Sequence, residues 1–219
     1  MLEIDDIHIQ WNGHDGFRLR IGNKTIYIDP YKLTQGYNNK KDADLLFITH
    51  NHFDHLSITD IDNVINDNTI IICPPECVKV LVKKYSNNKI ISLKPKDNII
   101  IENIKIEAVR AYNTNKNYHP KEDNKIGFII TINGLRIYHT GDTDIIPEMD
   151  GINPDIAFVP VSGTYVMTAE EAARAINESI KPKRIAIPMH YNTIVGTIKD
   201  AETFCNKVNV CKTEILEIE

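Results

Sequence analysis

The sequence predicts an α/β protein built as a four-layer αββα sandwich, and three observations carry that expectation. Short apolar runs of strand type alternate with amphipathic helical segments. The β-then-α order of the first half recurs in outline in the second, which predicts two pseudo-symmetric halves. Polar clusters rich in His and Asp follow several of the strands, where open α/β sheets carry their chemistry. The 219 residues suffice for one substantial core, so a single domain over 1–219 is expected.

Taken in order, Ile4 to Ile9 alternates, as does Phe17 to Ile21, and Lys24 to Ile28 follows Gly22-Asn23. These segments predict antiparallel strands and a hairpin ending at Asp29-Pro30. Tyr31 to Asp42 is a polar surface loop, and Leu45 to Ile48 is a short buried strand. Ser57 is placed to cap a helix through Asn66, Thr69 to Cys73 forms a buried strand, and Pro75 opens a helix toward Lys84. Strands at Lys89 to Ser92, Asn98 to Ile101 and Lys105 to Arg110 complete the first half, and Ala111 to Lys125 is a long polar loop. In the second half Phe128 to Ile132 and Leu135 to Tyr138 form a hairpin about Asn133-Gly134, and Asp155 to Pro160 echoes Asp44 to Thr49. Thr168 and Glu171 form a capping box for a helix that buries Ala172, Ala173, Ile176 and Ile180. Arg184 to Pro188 is the next strand, Thr197 caps a last helix, and Thr213 to Ile218 is a last strand.

Hydrophobic residues make up 42% and charged residues 25%, a globular composition that excludes disordered and fibrous classes. No apolar stretch approaches a membrane span, and the acidic, alternating start lacks the features of an export signal, so a cytoplasmic protein is expected. Cys73, Cys77, Cys205 and Cys211 are therefore expected as thiols, not as a disulfide framework. Lys and Arg total 25 against 30 Asp and Glu, a formal charge of -5 with no basic block, which gives no electrostatic footprint for nucleic acid. The partner expected is a small-molecule substrate, and the homo-oligomeric state is left open.

The densest chemistry lies in Thr49-His50-Asn51-His52-Phe53-Asp54-His55, at the exit of the Leu45 strand. In extended chain His50 and His52 point the same way, so their imidazoles can grip one metal ion while Asp54 and His55 reach a second. Asp142, in Gly141-Asp142 at another strand exit, can lie between two cations, and His190 follows the Arg184 strand.

These residues resemble the ordered motifs of the metallo-β-lactamase superfamily. More narrowly, Gly13-His14, Ile28-Asp29-Pro30, Ala111-Tyr112-Asn113, Tyr118-His119-Pro120, Tyr138 to Asp144 and Pro188 to Tyr191 resemble its small metal-dependent hydrolases, which are related to the ascorbate-6-phosphate lactonases. The resemblance implies the αββα fold, two divalent metals and hydrolytic activity. It implies His50, His52 and His119 on the first ion, Asp54, His55 and His190 on the second, and Asp142 bridging. Whether Asn113 or His119 completes the first set is left open. His14, Asp29 and Thr140 are expected to orient ligands or line the pocket. Asp15 stands where that group often has a small residue, so a carboxylate there is expected to alter the pocket.

The expected activity is hydrolysis of a small lactone or other ester, with Asp54 carrying the proton and zinc as the expected metal, manganese and nickel being the alternatives. The alternatives are phosphodiester hydrolysis and, from another class, a non-catalytic metal-bound ligand-binding protein. An oxygen-reducing di-iron protein is disfavoured by the histidine at position 52, where such relatives usually carry a carboxylate.

Overall fold

The Gly22-Asn23 turn between two alternating runs is the seed of the first sheet. The structure, a computed structural model, describes residues 1–219 and divides into two compact units, Met1–Leu93 with Leu216–Glu219, and Lys94–Ile215. The first contains β1 (Leu2–Ile4), β2 (Ile7–Gly13), β3 (Gly16–Ile21), β4 (Lys24–Ile28), β5 (Leu45–Phe47), α1 (Ile58–Val64), β6 (Ile70–Cys73), α2 (Pro75–Lys84) and β7 (Lys89–Ser92). Its seven strands are hydrogen-bonded in chain order. The first four form an antiparallel meander, and β4 through β7 are parallel, because each return passes through a crossover segment.

The helices cover one face of this sheet. Ile61 and Val64 of α1 and Cys77 and Leu81 of α2 pack with Tyr27, Leu46, Ile48 and Ile71 in one buried cluster. Each such aliphatic side chain contributes about 1.5–3 kcal/mol by leaving water. Leu45, Leu46 and Phe47 are all buried, as expected for a central parallel strand.

The second unit contains β8 (Asn98–Ile101), β9 (Ile104–Arg110), β10 (Ile126–Ile132), β11 (Leu135–His139), β12 (Ile156–Pro160), α3 (Ala169–Arg174), β13 (Ile185–Met189), α4 (Ile198–Lys207) and β14 (Lys212–Thr213). Here too four strands form an antiparallel meander and the last three add in parallel to β11. The Thr168–Glu171 capping box opens α3, whose path continues as π-helical turns over Ala175–Ile180. Ala172, Ala173, Ile176 and Ile180 are buried as the spacing predicts.

The repetition between the units extends to single hydrogen bonds. Asp44 accepts from the Thr25 backbone N–H at 2.8 Å through its side chain, and Asp155 accepts from Arg136 in the same way at 2.8 Å. Their own backbone N–H groups return the bond to the Thr25 and Arg136 carbonyls. The Asp29 N–H donates to the Phe47 carbonyl, and the Thr140 N–H to that of Phe158. In both units this ties the exit of a hairpin strand to the exit of its parallel neighbour.

Four expected boundaries differ. Ile4 to Ile9 is not one strand: Asp5, at φ 53, turns the chain so that β1 pairs back on β2. α1 ends at Val64 and not at Asn66, because Ile65 is extended and the Asn66 carboxamide donates to the Lys41 and Ala43 carbonyls. β8 and β9 belong to the second sheet, where β9 pairs with β10 and the Lys96 N–H donates to the Ala108 carbonyl. The expected last strand is shortened to β14, and beyond it Ile218 bridges Trp11 while the Glu219 N–H donates to the Trp11 carbonyl in the first unit. No disulfide forms, and no helix is long and apolar enough to cross a membrane.

Candidate metal centre

In the first unit the functional side chains gather where β4 and β5 end and at the tip of the β2–β3 hairpin. Asp29, directly after β4, is buried and organises the segment after β5. Its carboxylate accepts from the Thr49 N–H at 2.9 Å and the Thr49 hydroxyl at 2.5 Å, and lies 2.8 Å from His55 Nδ1. Thr49 Oγ1 also lies 3.0 Å from His50 Nδ1. One buried carboxylate thus orients both histidines, His55 directly and His50 through a hydroxyl.

The opposite ring atoms face potential ligands. His50 Nε2 lies 3.0 Å from His52 Nδ1, and His55 Nε2 lies 3.9 Å from Asp54 Oδ2. His14, reaching in from the hairpin tip, places Nε2 2.9 Å from the same Asp54 oxygen. His14, Asp54 and His55 each offer a ligand atom within 4.8 Å of the others.

In the second unit the centre of the arrangement is Asp142, after β11. Its Oδ2 lies 3.2 Å from His119 Nε2 and 3.3 Å from His190 Nε2. All three residues are buried. His190 follows β13, and its Nδ1 lies 2.8 Å from the Ser162 hydroxyl at the exit of β12. His119 comes from the long loop after β9 and is held by Asn113. The Asn113 Oδ1 accepts from the His119 backbone N–H at 3.0 Å and lies 3.2 Å from His119 Nδ1, while its amide donates to the Tyr165 carbonyl. Asn113 therefore buttresses the histidine, and His119 is the residue that faces Asp142.

The loop bearing His119 is stitched to the segment after Asp142. Asp144 accepts from the Thr114 N–H at 2.8 Å and from Lys116 Nζ at 2.6 Å, and its own N–H donates to the Tyr112 carbonyl. Thr143 accepts from the Tyr112 N–H. Thr140 is buried, but its hydroxyl donates to the Gly141 carbonyl, so it braces backbone beside Asp142.

Backbone constraints set the same residues. Asp29, His14 and His190 adopt left-handed conformations at φ 42, 51 and 62. Such conformations cost of order 1 kcal/mol or more for a residue with a β carbon and concentrate at functional sites. Glycines let the strand exits approach. A β carbon at Gly127 would lie 2.4 Å from the Thr140 carbonyl oxygen, and one at Gly16 would lie 3.2 Å from that of Asp29. Burial, aided by the Cys205 thiol, raises the Tyr191 phenol above its ordinary range and keeps it protonated beside His190.

The donor chemistry fits divalent metal ions. His50, His55, His119 and His190 each have one ring nitrogen against an oxygen of the protein and the other facing a carboxylate or a second imidazole. That is the arrangement by which proteins fix the tautomer and direction of metal-binding histidines. The sequence does not single out Ser162, and although Thr49 and Asp144 lie inside motifs it offers, it does not reveal their bracing roles. Ser162 carried a usable signal, since it follows the apolar run Ile156–Pro160 as the other site residues follow theirs.

The profile of the β-lactamase superfamily domain matches residues 8–190. A relative from Thermoplasma acidophilum, named a UPF0173 metal-dependent hydrolase, is 33% identical over 210 residues, 92% of this chain and 90% of its own length. One of the same name from Archaeoglobus fulgidus is 33% identical over 226 residues, 96% of this chain and 93% of its own. Among solved structures, a candidate metal-dependent hydrolase from Parabacteroides distasonis superposes with a TM-score of 0.82 at 33% identity, covering 97% of this chain and 94% of that one. Igni18, a metallo hydrolase from Ignicoccus hospitalis, superposes with a TM-score of 0.80 at 24% identity, over 96% of this chain and 95% of that one, and shares the fold.

Proposed function

This chain belongs to the metallo-β-lactamase superfamily, among its small metal-dependent hydrolases, and from that membership we propose that it hydrolyses a small neutral substrate with two divalent metal ions. In this reading residues 1–219 act as one catalytic domain. His50, His52 and His119 would hold one ion and Asp54, His55 and His190 the other, with Asp142 as a ligand common to the two sets. The observation that carries the reading is the shared pattern of four histidines held from behind by protein oxygens. Asp142 supports the bridging role, because one of its oxygens lies beside both His119 and His190, one from each set. Zinc suits these imidazole and carboxylate donors, with manganese and nickel as the next choices.

Bound metals of this kind supply an acidified water and a Lewis acid for the attacked group. Asp54, held by His14, would accept a proton at its carboxylate and return it to the leaving group. Asp29 and Ser162 keep His55 and His190 in the required tautomers. Phe53, 68% exposed between His52 and Asp54, and Tyr31, whose ring centroid lies 5.9 Å away, offer apolar contact. With a formal charge of -5, that contact favours a lactone or other ester over an anionic substrate.

The test is a panel of lactones, esters, thioesters and phosphodiesters against zinc-, manganese- and nickel-loaded protein, with Asp54→Asn in parallel. Lactone or ester turnover that Asp54→Asn abolishes supports the proposal. Turnover of phosphodiesters alone would transfer it to that class. Metal uptake without turnover of any substrate would replace it with a metal-bound ligand-binding protein.

A further inference from the structure

Two-residue hairpin tips ordinarily sit in water, because their polar side chains are there to turn the chain. The tip between β2 and β3, His14-Asp15, is different: both residues have 0% exposure. The turn is fixed by Gly13 at φ 91 and His14 at φ 51, and the Trp11 indole donates to the His14 carbonyl at 2.9 Å. His14 is thereby carried onto Asp54, and the carboxylate of Asp15 lies within 4.8 Å of the ligand atom of His55. Asp54 lies within the same distance of that histidine.

Two ligands of one ion can lie at most about 4.2 Å apart, twice a bond of roughly 2.1 Å, so a small closure brings Asp15 into the coordination range of an ion on His55. We propose that Asp15 is an additional ligand of the metal ion held by Asp54 and His55, and that it makes this position rich enough in oxygen to favour manganese relative to an imidazole-dominated site. The proposal rests on the metal-binding reading above. Its physical basis is donor chemistry: carboxylate oxygens suit manganese, whereas imidazole suits zinc at least as well. A buried carboxylate also adds negative charge where the medium screens it least, and so strengthens attraction for a divalent ion.

The experiment titrates chelator-stripped protein with manganese and with zinc, each against a competing fluorescent chelator, for the wild type, Asp15→Asn and Asp15→Ala. Both variants should lose about 10- to 100-fold in manganese affinity at one of two sites, and several-fold less in zinc affinity. The manganese electron paramagnetic resonance spectrum should change with them. Variants that melt as the stripped wild type does, yet bind manganese within about threefold of it, would overturn the role of Asp15 alone. Should either variant fail to fold, a crystal structure of zinc-loaded wild type decides. An Asp15 oxygen about 2.0–2.2 Å from an ion supports the inference, and one beyond about 3 Å contradicts it. Wild-type protein that takes up no divalent ion would instead overturn the metal-binding reading.

Discussion

Asn113 holds His119 through a single oxygen, which accepts from the histidine backbone N–H at 3.0 Å and lies 3.2 Å from its Nδ1. The same carboxamide donates to the Tyr165 carbonyl, so its orientation is fixed from the other side. Replacing Asn113 by Ala leaves the histidine without its brace, while β9 and β10 keep their ladder. Metal affinity should fall about 10- to 100-fold with little change in the melting temperature of stripped protein. Titration with zinc together with thermal melting checks this, and unchanged affinity would mean that the loop sets His119 unaided.

Asp29 serves Thr49 and His55 together, and both are buried. Asp29→Asn can accept only one such set of donors and leaves a buried group mismatched. It should lower stability by about 1–3 kcal/mol in urea unfolding and reduce metal occupancy. A stable variant with full occupancy would show that His55 needs no carboxylate behind it.

Gly127 is placed where no side chain fits. A β carbon would meet the Thr140 and His139 carbonyl oxygens at 2.4 and 2.5 Å, so strand β11 must shift in Gly127→Ala. The shift moves the backbone that carries Asp142. We expect a loss of roughly 2 kcal/mol or more and weaker metal binding. Gly16 is the counterpart beside Asp29, but a β carbon there would lie 3.0 Å from the Gly13 carbonyl oxygen and 3.2 Å from that of Asp29, so Gly16→Ala should cost less. Thermal melts of the pair give the comparison.

Burial pushes the Cys73 thiol up to about 12 and that of Cys211 to about 11, the latter partly offset by a backbone hydrogen bond from Ala186. Burial also raises the phenols of Tyr27, Tyr85, Tyr138 and Tyr191. Each group binds its proton more tightly folded than unfolded. Their contribution is complete below the unfolded values, about 8.5 for thiols and 10 for phenols, and is lost as pH rises from there toward the raised folded values. Unfolding free energy should therefore fall between pH 8 and pH 11, and Cys73 should resist iodoacetamide at pH 8 until the chain unfolds. Stability that stays flat over that interval would contradict the sign.

Much of this was legible because neighbours in space are also neighbours in the chain. His50, His52, Asp54 and His55 share one segment, and the two hairpins about Gly22-Asn23 and Asn133-Gly134 announce themselves locally. Asp142 and His190 could be placed by one rule, that polar residues just after buried strands face a site. What stayed hidden was partnership over distance. Nothing periodic in Ala111 to Lys125 says that Asn113 accepts from His119, or that Asp144 clamps Thr114 and Lys116. The hairpin of β8 and β9 has the pattern of any edge hairpin, and only its pairing with β10 assigns it to the second sheet. Ile218 has strand character that serves a bridge to Trp11 and not the continuation of β14.

The most direct measurement is the metal content of purified, stripped and reloaded protein, determined by elemental analysis for the wild type and for Asp142→Asn. We expect two equivalents of divalent metal per wild-type chain, and a loss of at least one when Asp142 no longer carries a charge shared between His119 and His190. A wild-type chain that retains no metal, or an Asp142→Asn chain that retains both equivalents, would contradict it.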